Sequence, residues 1–260
     1  MGVIISLANL KGGIGKTTST TALGHALANR GHKVLLVDQD TQANCTRTIL
    51  GFEAETNTLY DFYSGGLSIQ ECIYRTPYDG LSLIPNIPAT GNLEIEMFQD
   101  IQQSSLMLRR CLRDYAKSHY DYTLIDTSPS LGLFVTQALI ASDYVIIPIE
   151  AGSRMSIDGL DSALIRIDGL RERINPDLQV MRFLVNKVDM RTTISKLSVE
   201  KIRKRFGDDK VFATSIPNNV DVKKSEEACQ TVIRFAPRSP AAKHFKALAE
   251  EVEQFVQENS

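Results

Sequence analysis

The stretch Val3-Ile4-Ile5-Ser6-Leu7-Ala8-Asn9-Leu10-Lys11-Gly12-Gly13-Ile14-Gly15-Lys16-Thr17-Thr18 decides the fold of this chain. Val3 to Ala8 is an apolar run that reads as a buried strand. A glycine-rich turn follows, and a helical pattern then runs from Thr17 to Arg30 and is ended by Gly31. A strand that leaves through such a turn and re-enters as a helix is the setting of a phosphate-binding loop. The glycines let the backbone curl so that its N–H groups converge on phosphate oxygens, with the positive end of the helix behind them. Lys11, Gly12, Gly13, Ile14, Gly15, Lys16, Thr17 and Thr18 form the candidate cradle. Lys16 is placed to neutralise the β and γ phosphates of a nucleotide, and Thr17 to set its hydroxyl on Mg²⁺.

Outward from this loop, short runs rich in Val, Ile and Leu recur at Val3 to Ala8, Lys33 to Asp38, Leu81 to Pro85, Tyr122 to Asp126, Tyr144 to Ile149 and Val180 to Asn186, with a weaker one at Val211 to Thr214. Helical patterns between them cover Thr17 to Arg30, Asn92 to Lys117, Leu131 to Ala141, Ser156 to Arg173, Thr193 to Phe206 and Ser239 to Val256. The alternation predicts an α/β fold, a mostly parallel twisted sheet with helices on both faces. With 260 residues, 43% of them hydrophobic, and no repeat or linker, residues 1–260 read as a single domain. Gly51 to Gly91 resists assignment. Its aromatic residues Tyr60, Phe62, Tyr63, Tyr74 and Tyr78 fit core packing, with a partner surface as the other reading.

The 4 cysteines, Cys45, Cys72, Cys111 and Cys229, are too scattered for a zinc or iron–sulfur site. They fit small apolar residues in a reducing cytosol. There is no signal region and no apolar run long enough to cross a bilayer, so a cytoplasmic location is expected.

Acids close two of the runs. Val37-Asp38-Gln39-Asp40 ends the second strand, and Tyr122-Thr123-Leu124-Ile125-Asp126 ends another in the Walker-B pattern. Phosphate sites in parallel sheets lie beyond such carboxyl ends, although acids there also begin ordinary turns. Val185-Asn186-Lys187-Val188-Asp189 and Ile216-Pro217-Asn218-Asn219 are a further strand exit and a Pro-Asn turn.

Lys11 to Thr17 matches residue for residue the signature K-G-G-x-G-K-T, and Leu10 stands where the commoner loop has its first glycine. In this the sequence resembles the ParA/MinD family of deviant Walker-A ATPases. Asp38-Gln39-Asp40-Thr41-Gln42-Ala43-Asn44 resembles the family's D-x-D-x-Q-x-N segment. Asp126-Thr127-Ser128-Pro129-Ser130-Leu131-Gly132 resembles its D-x-P-P-S-L-G switch, with Ser128 in place of the first proline. The resemblance runs from Val3 to about Val252, with the motifs in family order. It implies ATP and Mg²⁺ as ligands and a homodimer in which Lys11 reaches the partner's phosphates. It further implies that Lys11, Lys16 and Asp40 serve catalysis, that Thr17, Asp38 and Asp126 surround the metal, and that Asn186, Pro217 and Asn218 hold the adenine. N-K-x-D alone also suits guanine, so ATP follows from the resemblance.

The family divides between DNA-binding and membrane-binding switches. From Arg182 to Lys246 there are 15 Lys/Arg against 7 Asp/Glu, within a chain whose net charge is -2. This suits phosphate-backbone binding to double-stranded DNA without base readout. Candidate contacts are Arg191, Lys196, Arg203, Lys223, Lys224 and Arg234, with Lys204, Arg205 and Arg238 beside them. Solvated faces and ion pairs would account for many of these. The last helix carries Glu250, Glu251, Glu253 and Glu258, which anionic lipid would repel, so no membrane partner is expected. The ParA/Soj-like branch is therefore the expectation: a weak ATPase, nucleoid-associated, stimulated by a ParB-like partner, that positions or partitions DNA or another cargo. The other readings are a MinD-like membrane-associated ATPase and a metabolic NTPase coupled to cofactor chemistry.

Overall fold

Side chains buried on both faces of a sheet leave no polar alternation, which is why the apolar runs mark the strands so directly. The computed structural model describes residues 1–130, 132–152 and 160–259. Its strands are β1 (Val3–Leu7), β2 (Val34–Gln39), β3 (Tyr74–Arg75), β4 (Leu81–Ile84), β5 (Tyr122–Thr127), β6 (Tyr144–Glu150) and β7 (Gln179–Asn186). They make one sheet in the order β3-β4-β2-β5-β1-β6-β7. All neighbours are parallel except β3, which runs antiparallel to β4. Every residue of β2 and β5 is buried. The register sets both Leu7 of β1 and Asp38 of β2 against Asp126 of β5. Three central strands thus end together, bringing two acids to the place where β1 enters the glycine turn.

The described helices are α1 (Lys16–Ala28), α2 (Asn44–Leu50), α3 (Leu59–Tyr63), α4 (Thr90–Met97), α5 (Ile101–His119), α6 (Leu133–Ala141), α7 (Leu160–Arg173), α8 (Thr193–Phe206), α9 (Val220–Glu227), α10 (Val232–Phe235) and α11 (Pro240–Glu258). On one face of the sheet Leu23 and Leu27 of α1 pack with Phe245, Leu248 and Val252 of α11 over Leu36 and Leu124. On the other, Leu108 and Leu112 of α5 and Phe134 of α6 cover Val37 and Ile125. A third cluster sets Ile167 of α7 and Ile202 of α8 with Ile147 of β6 and Val185 of β7. The acids of α11 serve this packing. Glu253 pairs with Arg30 at 2.7 Å, and Glu251 accepts from the Ala213 and Thr214 N–H groups at 2.8 and 2.7 Å.

Several expectations change. Asn92 to Lys117 is two helices: a 3₁₀ turn intervenes, and the Asp100 side chain caps the second by accepting from the Gln103 N–H at 3.1 Å. Val211 to Thr214 is no strand: pairing with Phe183 stops after the Val211 bridge and the Phe212 N–H, and Glu251 takes the Ala213 and Thr214 N–H groups. Of the helix expected from Ser156, residues 156–159 lie outside the described residues, as does Leu131 of the switch. Within the unassigned stretch, Phe62, Tyr63 and Tyr78 are buried, so core packing holds for them. Cys45 and Cys72 are buried as apolar residues are, but Cys111 is exposed.

Candidate nucleotide site

The turn between β1 and α1 is built on two left-handed glycines, Gly13 at φ 72 and Gly15 at φ 85. A Cβ on Gly15 would also lie 3.1 Å from the Asn186 Nδ2, whereas one on Gly12 would meet only Pro129 at 3.7 Å. No side chain caps the start of α1 and no acid sits in its first turn. The helix therefore offers its first N–H groups, with their positive dipole end, to an anion. Lys16 is buried, its Nζ donating to the backbone oxygens of Asn9 and Lys11 at 3.2 and 3.1 Å. Burial lowers its pKa, and the nearby Asp126 and Asp40 oppose that shift.

Asp126 is fully buried at the end of β5. Thr20 donates to its Oδ1 at 3.1 Å, and its Oδ2 has no hydrogen-bond partner among the described residues. Burial raises its carboxyl well above the ordinary range, with Asp38 adding to the shift and the Thr17 hydroxyl opposing it. An unpaired oxygen of a buried acid, beside Thr17 and the loop, fits a cation. Asp38 differs. Its Oδ2 accepts from the Thr46 N–H and hydroxyl at 2.8 and 2.7 Å, and its Oδ1 from the Asp40 N–H at 3.2 Å. Of the two acids expected around the metal, Asp38 thus anchors α2 through Thr46, and Asp126 keeps one oxygen without a hydrogen-bond partner among the described residues. Burial raises the Asp38 carboxyl as well.

Asp40 lines a cleft of about 540 Å³ together with Thr17, Asn186, Pro217 and Asn218. The Asn186 Nδ2 donates to the Ile14 oxygen at 2.9 Å and the Ser19 hydroxyl at 3.1 Å. Its buried Oδ1 has no partner among the described residues. The two segments expected at the base side meet directly, with Val188 bridged to Pro217. Thr18 donates across the cleft to Glu226 of α9. Gln39, one residue before Asp40, donates to the Tyr63 hydroxyl at 2.7 Å, and that hydroxyl donates in turn to Gln137 of α6.

Lys11 is held within its own chain, its Nζ 2.9 Å from Glu150 Oε2 at the end of β6. Lys187, at φ 57, lies 3.5 Å from the same carboxylate and donates to the Gly13 oxygen. Burial works to raise the Glu150 carboxyl, and the two lysines outweigh it and hold it below the ordinary value. Neither Glu150 nor Glu226 stood out in the sequence. Glu150 carries the signal that marked Asp126, an acid closing an apolar strand.

The basic residues differ in their surroundings. Arg191 pairs with Asp189 at 2.9 Å and Arg205 with Asp161 at 2.6 Å. Arg203 donates to the Phe212 oxygen at 2.7 Å and pairs with Asp208, so it ties α8 to the chain beyond it. Lys196 and Lys224 are exposed on α8 and α9. Arg234 lies over the Tyr78 ring, and Lys223 lines the cleft.

Phosphate loops at the carboxyl ends of parallel strands, faced by acids from the neighbouring strands, are the mark of P-loop nucleotide-binding proteins. The comparisons sharpen that class. A family profile described as an AAA domain matches residues 2–180. The chain is 36% identical to the sporulation initiation inhibitor protein Soj of Bacillus subtilis, over 97% of this chain and 98% of that one. It is 32% identical to the chromosome partitioning protein ParA of Caulobacter vibrioides, over 96% and 93%. Among solved structures, the septum site-determining protein MinD of Pyrococcus horikoshii, complexed with Mg-ADP, aligns at TM-score 0.79 and 25% identity, covering 100% of this chain and 99% of that one. Cobyrinic acid a,c-diamide synthase of Mycobacterium smegmatis, with bound ATP analogue and magnesium, aligns at TM-score 0.85 and 25% identity, over 100% and 98%. The chain belongs to the ParA/MinD family of deviant Walker-A ATPases, in its ParA/Soj-like branch.

Proposed function

We propose that this chain is a switch ATPase: with Mg²⁺ and ATP it closes into a homodimer, binds double-stranded DNA without sequence preference, and partitions or positions a cargo. The observation that carries this reading is the convergence in one cleft of the glycine loop, Lys16, Asp40 and Asn186, with Asp126 bonded to Thr20 of α1 and Lys11 paired with Glu150. Lys16 balances charge on the β and γ phosphates. Asp40 orients the attacking water. The Asn186 Oδ1 accepts from the adenine amino group, which prefers adenine to guanine at that position. Thr17 and Asp126 would hold the magnesium ion, which supplies further neutralisation of the terminal phosphates. Among the described residues no cluster of three or more His, Cys, Asp or Glu could hold a metal, consistent with an ion that arrives with the nucleotide. On dimer closure Lys11 exchanges Glu150 for the phosphates in the partner's cleft, as an arginine finger does in trans.

Pairing two DNA-binding surfaces gains affinity through avidity alone, so release follows hydrolysis. Turnover is slow until a ParB-like partner accelerates it, and the protein resides on the nucleoid in the cytoplasm. One observation favours DNA over a membrane: Phe245, Leu248 and Val252, the apolar face of α11, are packed against α1. The identities of 32–36% to chromosome-partitioning proteins favour this branch over cofactor synthesis. Calorimetry with Mg-ATP, followed by ATP-dependent gel shifts on random-sequence duplex, tests the proposal. Failure to take up ATP refutes it outright, and a negative shift at low salt removes the DNA arm. Lys11→Ala should keep nucleotide binding and lose the dimer or turnover; Asp40→Ala should trap the ATP-bound dimer.

A further inference from the structure

Helix α4 touches both loops that would sense the nucleotide. A Cβ on Gly91, in its first turn, would lie 3.8 Å from Thr41, the residue after Asp40. One turn on, the Glu94 Oε1 accepts the Leu133 N–H at 2.6 Å, at the start of α6 and the end of the switch segment. The approach is so close that a Cβ on Gly132 would stand 2.3 Å from that oxygen. Inward, Leu93 and Met97 pack against the cluster that holds Phe134 of α6. Outward, Ile95, Phe98 and Ile101 are 77%, 52% and 45% exposed. Three large apolar side chains exposed within seven residues of one another are what a binding surface presents.

The surrounding charge says what kind of molecule covers them. From Pro88 to Leu108 the chain has no Lys or Arg and three acids. Glu94 is turned inward, while Glu96 and Asp100 are exposed beside the apolar residues. Nucleic acid and anionic lipid would be repelled. A second copy docked face to face would set Glu96 and Asp100 of each chain against the same acids of the other.

We infer that the exposed apolar residues Ile95 of α4, Phe98 of the 3₁₀ turn after it and Ile101 at the start of α5, with the acids Glu96 and Asp100 among them, dock a Lys/Arg-bearing amphipathic segment of a partner protein, and that Glu94 transmits its docking to the switch segment. This rests on the switch-ATPase reading above and gives that switch its input surface. A partner that pushes on α4 moves the acceptor of the Leu133 N–H and so re-aims the chain between Asp126 and α6. Glu94 is a positioning residue, since it touches the switch and not the cleft.

The test uses the full chain and two fluorescent synthetic peptides with the same leucine face, one bearing lysines opposite and the other glutamates. Anisotropy should show the lysine peptide binding and the glutamate peptide not, and Phe98→Ser should weaken binding about tenfold or more. Ile95→Ser serves the same purpose should Phe98→Ser fail to fold. The lysine peptide should raise ATP turnover of the wild type. Glu94→Leu should bind it within about twofold of wild type yet lose the stimulation, and Glu94→Gln, which keeps an acceptor, should restore it. Equal binding of both peptides, or binding indifferent to Phe98→Ser and Ile95→Ser, overturns the docking surface. So does a loss of ATP-dependent dimers in those variants with peptide binding intact, which would assign the face to a second copy. Stimulation that survives Glu94→Leu overturns the coupling. Calorimetric failure to bind ATP would sink the switch reading alone, because the anisotropy arm needs no nucleotide.

Discussion

Alanine placed in turn at Gly12, Gly13 and Gly15 should destabilise the nucleotide-free protein in a graded way that follows from backbone geometry. Gly12 has no positive φ, and its Cβ would make only ordinary contact with Pro129 at 3.7 Å. Gly12→Ala should therefore be neutral, or stabilise by up to about 0.5 kcal/mol through reduced freedom of the unfolded chain. Gly13 sits at φ 72 with nothing within 4 Å of its Cβ. Gly13→Ala should bear the left-handed penalty alone, about 1–2 kcal/mol. Gly15, at φ 85, adds a crowded Cβ at 3.1 Å from the Asn186 Nδ2, the group that bonds the Ile14 oxygen and the Ser19 hydroxyl. Shifting that amide weakens two hydrogen bonds worth about 1 kcal/mol each, so Gly15→Ala should cost about 2–4 kcal/mol. Urea unfolding without nucleotide reads the series as falling midpoints at constant slope. Three coincident midpoints, or Gly12→Ala as the worst of the three, would refute the argument that conformation rather than ligand contact fixes the second and third glycines.

His25 is buried on α1, 2.6 Å from the Thr231 hydroxyl, and burial, reinforced by Arg234 and Lys246, pushes its pKa from 6.5 down to about 4. Its folded pKa is depressed, so the stability it confers is complete above pH 6.5 and fades as pH falls towards 4, a loss of about 3 kcal/mol. Urea titrations across that range should show His25→Gln with a shallower decline, and parallel curves would contradict it. Lys196→Ala and Lys224→Ala should each lower the salt slope of DNA binding by about one without altering stability. Arg203→Ala should do the reverse, costing about 1–2 kcal/mol through the orphaned Phe212 oxygen and leaving the slope alone; thermal melts alongside salt titrations separate the two effects.

What the sequence discloses here depends on how local the cause is. The run from Val3 to Thr18 is legible because strand period, glycines and helix start succeed one another within a few residues. The closing helix is legible because Phe245, Leu248 and Val252 recur at helical spacing. Short helices α2, α3, α9 and α10 escape notice because neighbours hold them more than their own periodicity does. One of them did carry a local mark: Thr58 and Asp61 form a capping box at the start of α3. The pairing of Lys11 with Glu150 is invisible along the chain, since 139 residues separate them. The different hydrogen bonding of Asp38 and Asp126 is hidden for the same reason. Spacing places both acids at strand ends, and only Thr46 arriving from α2 shows which one has its oxygens taken.

The partnership of α1 with α11 joins residues at opposite ends of the sequence. A chain emerging from the ribosome would have its glycine loop and first helix in place early, yet one flank of that helix would stay uncovered until Phe245 and Val252 emerged, more than two hundred positions later. Closing so distant a contact is slow, and the greasy side of α1 is a target for chaperones in the interval. A triphosphate would then find a firm seat only after nearly all of the sequence described here had been translated.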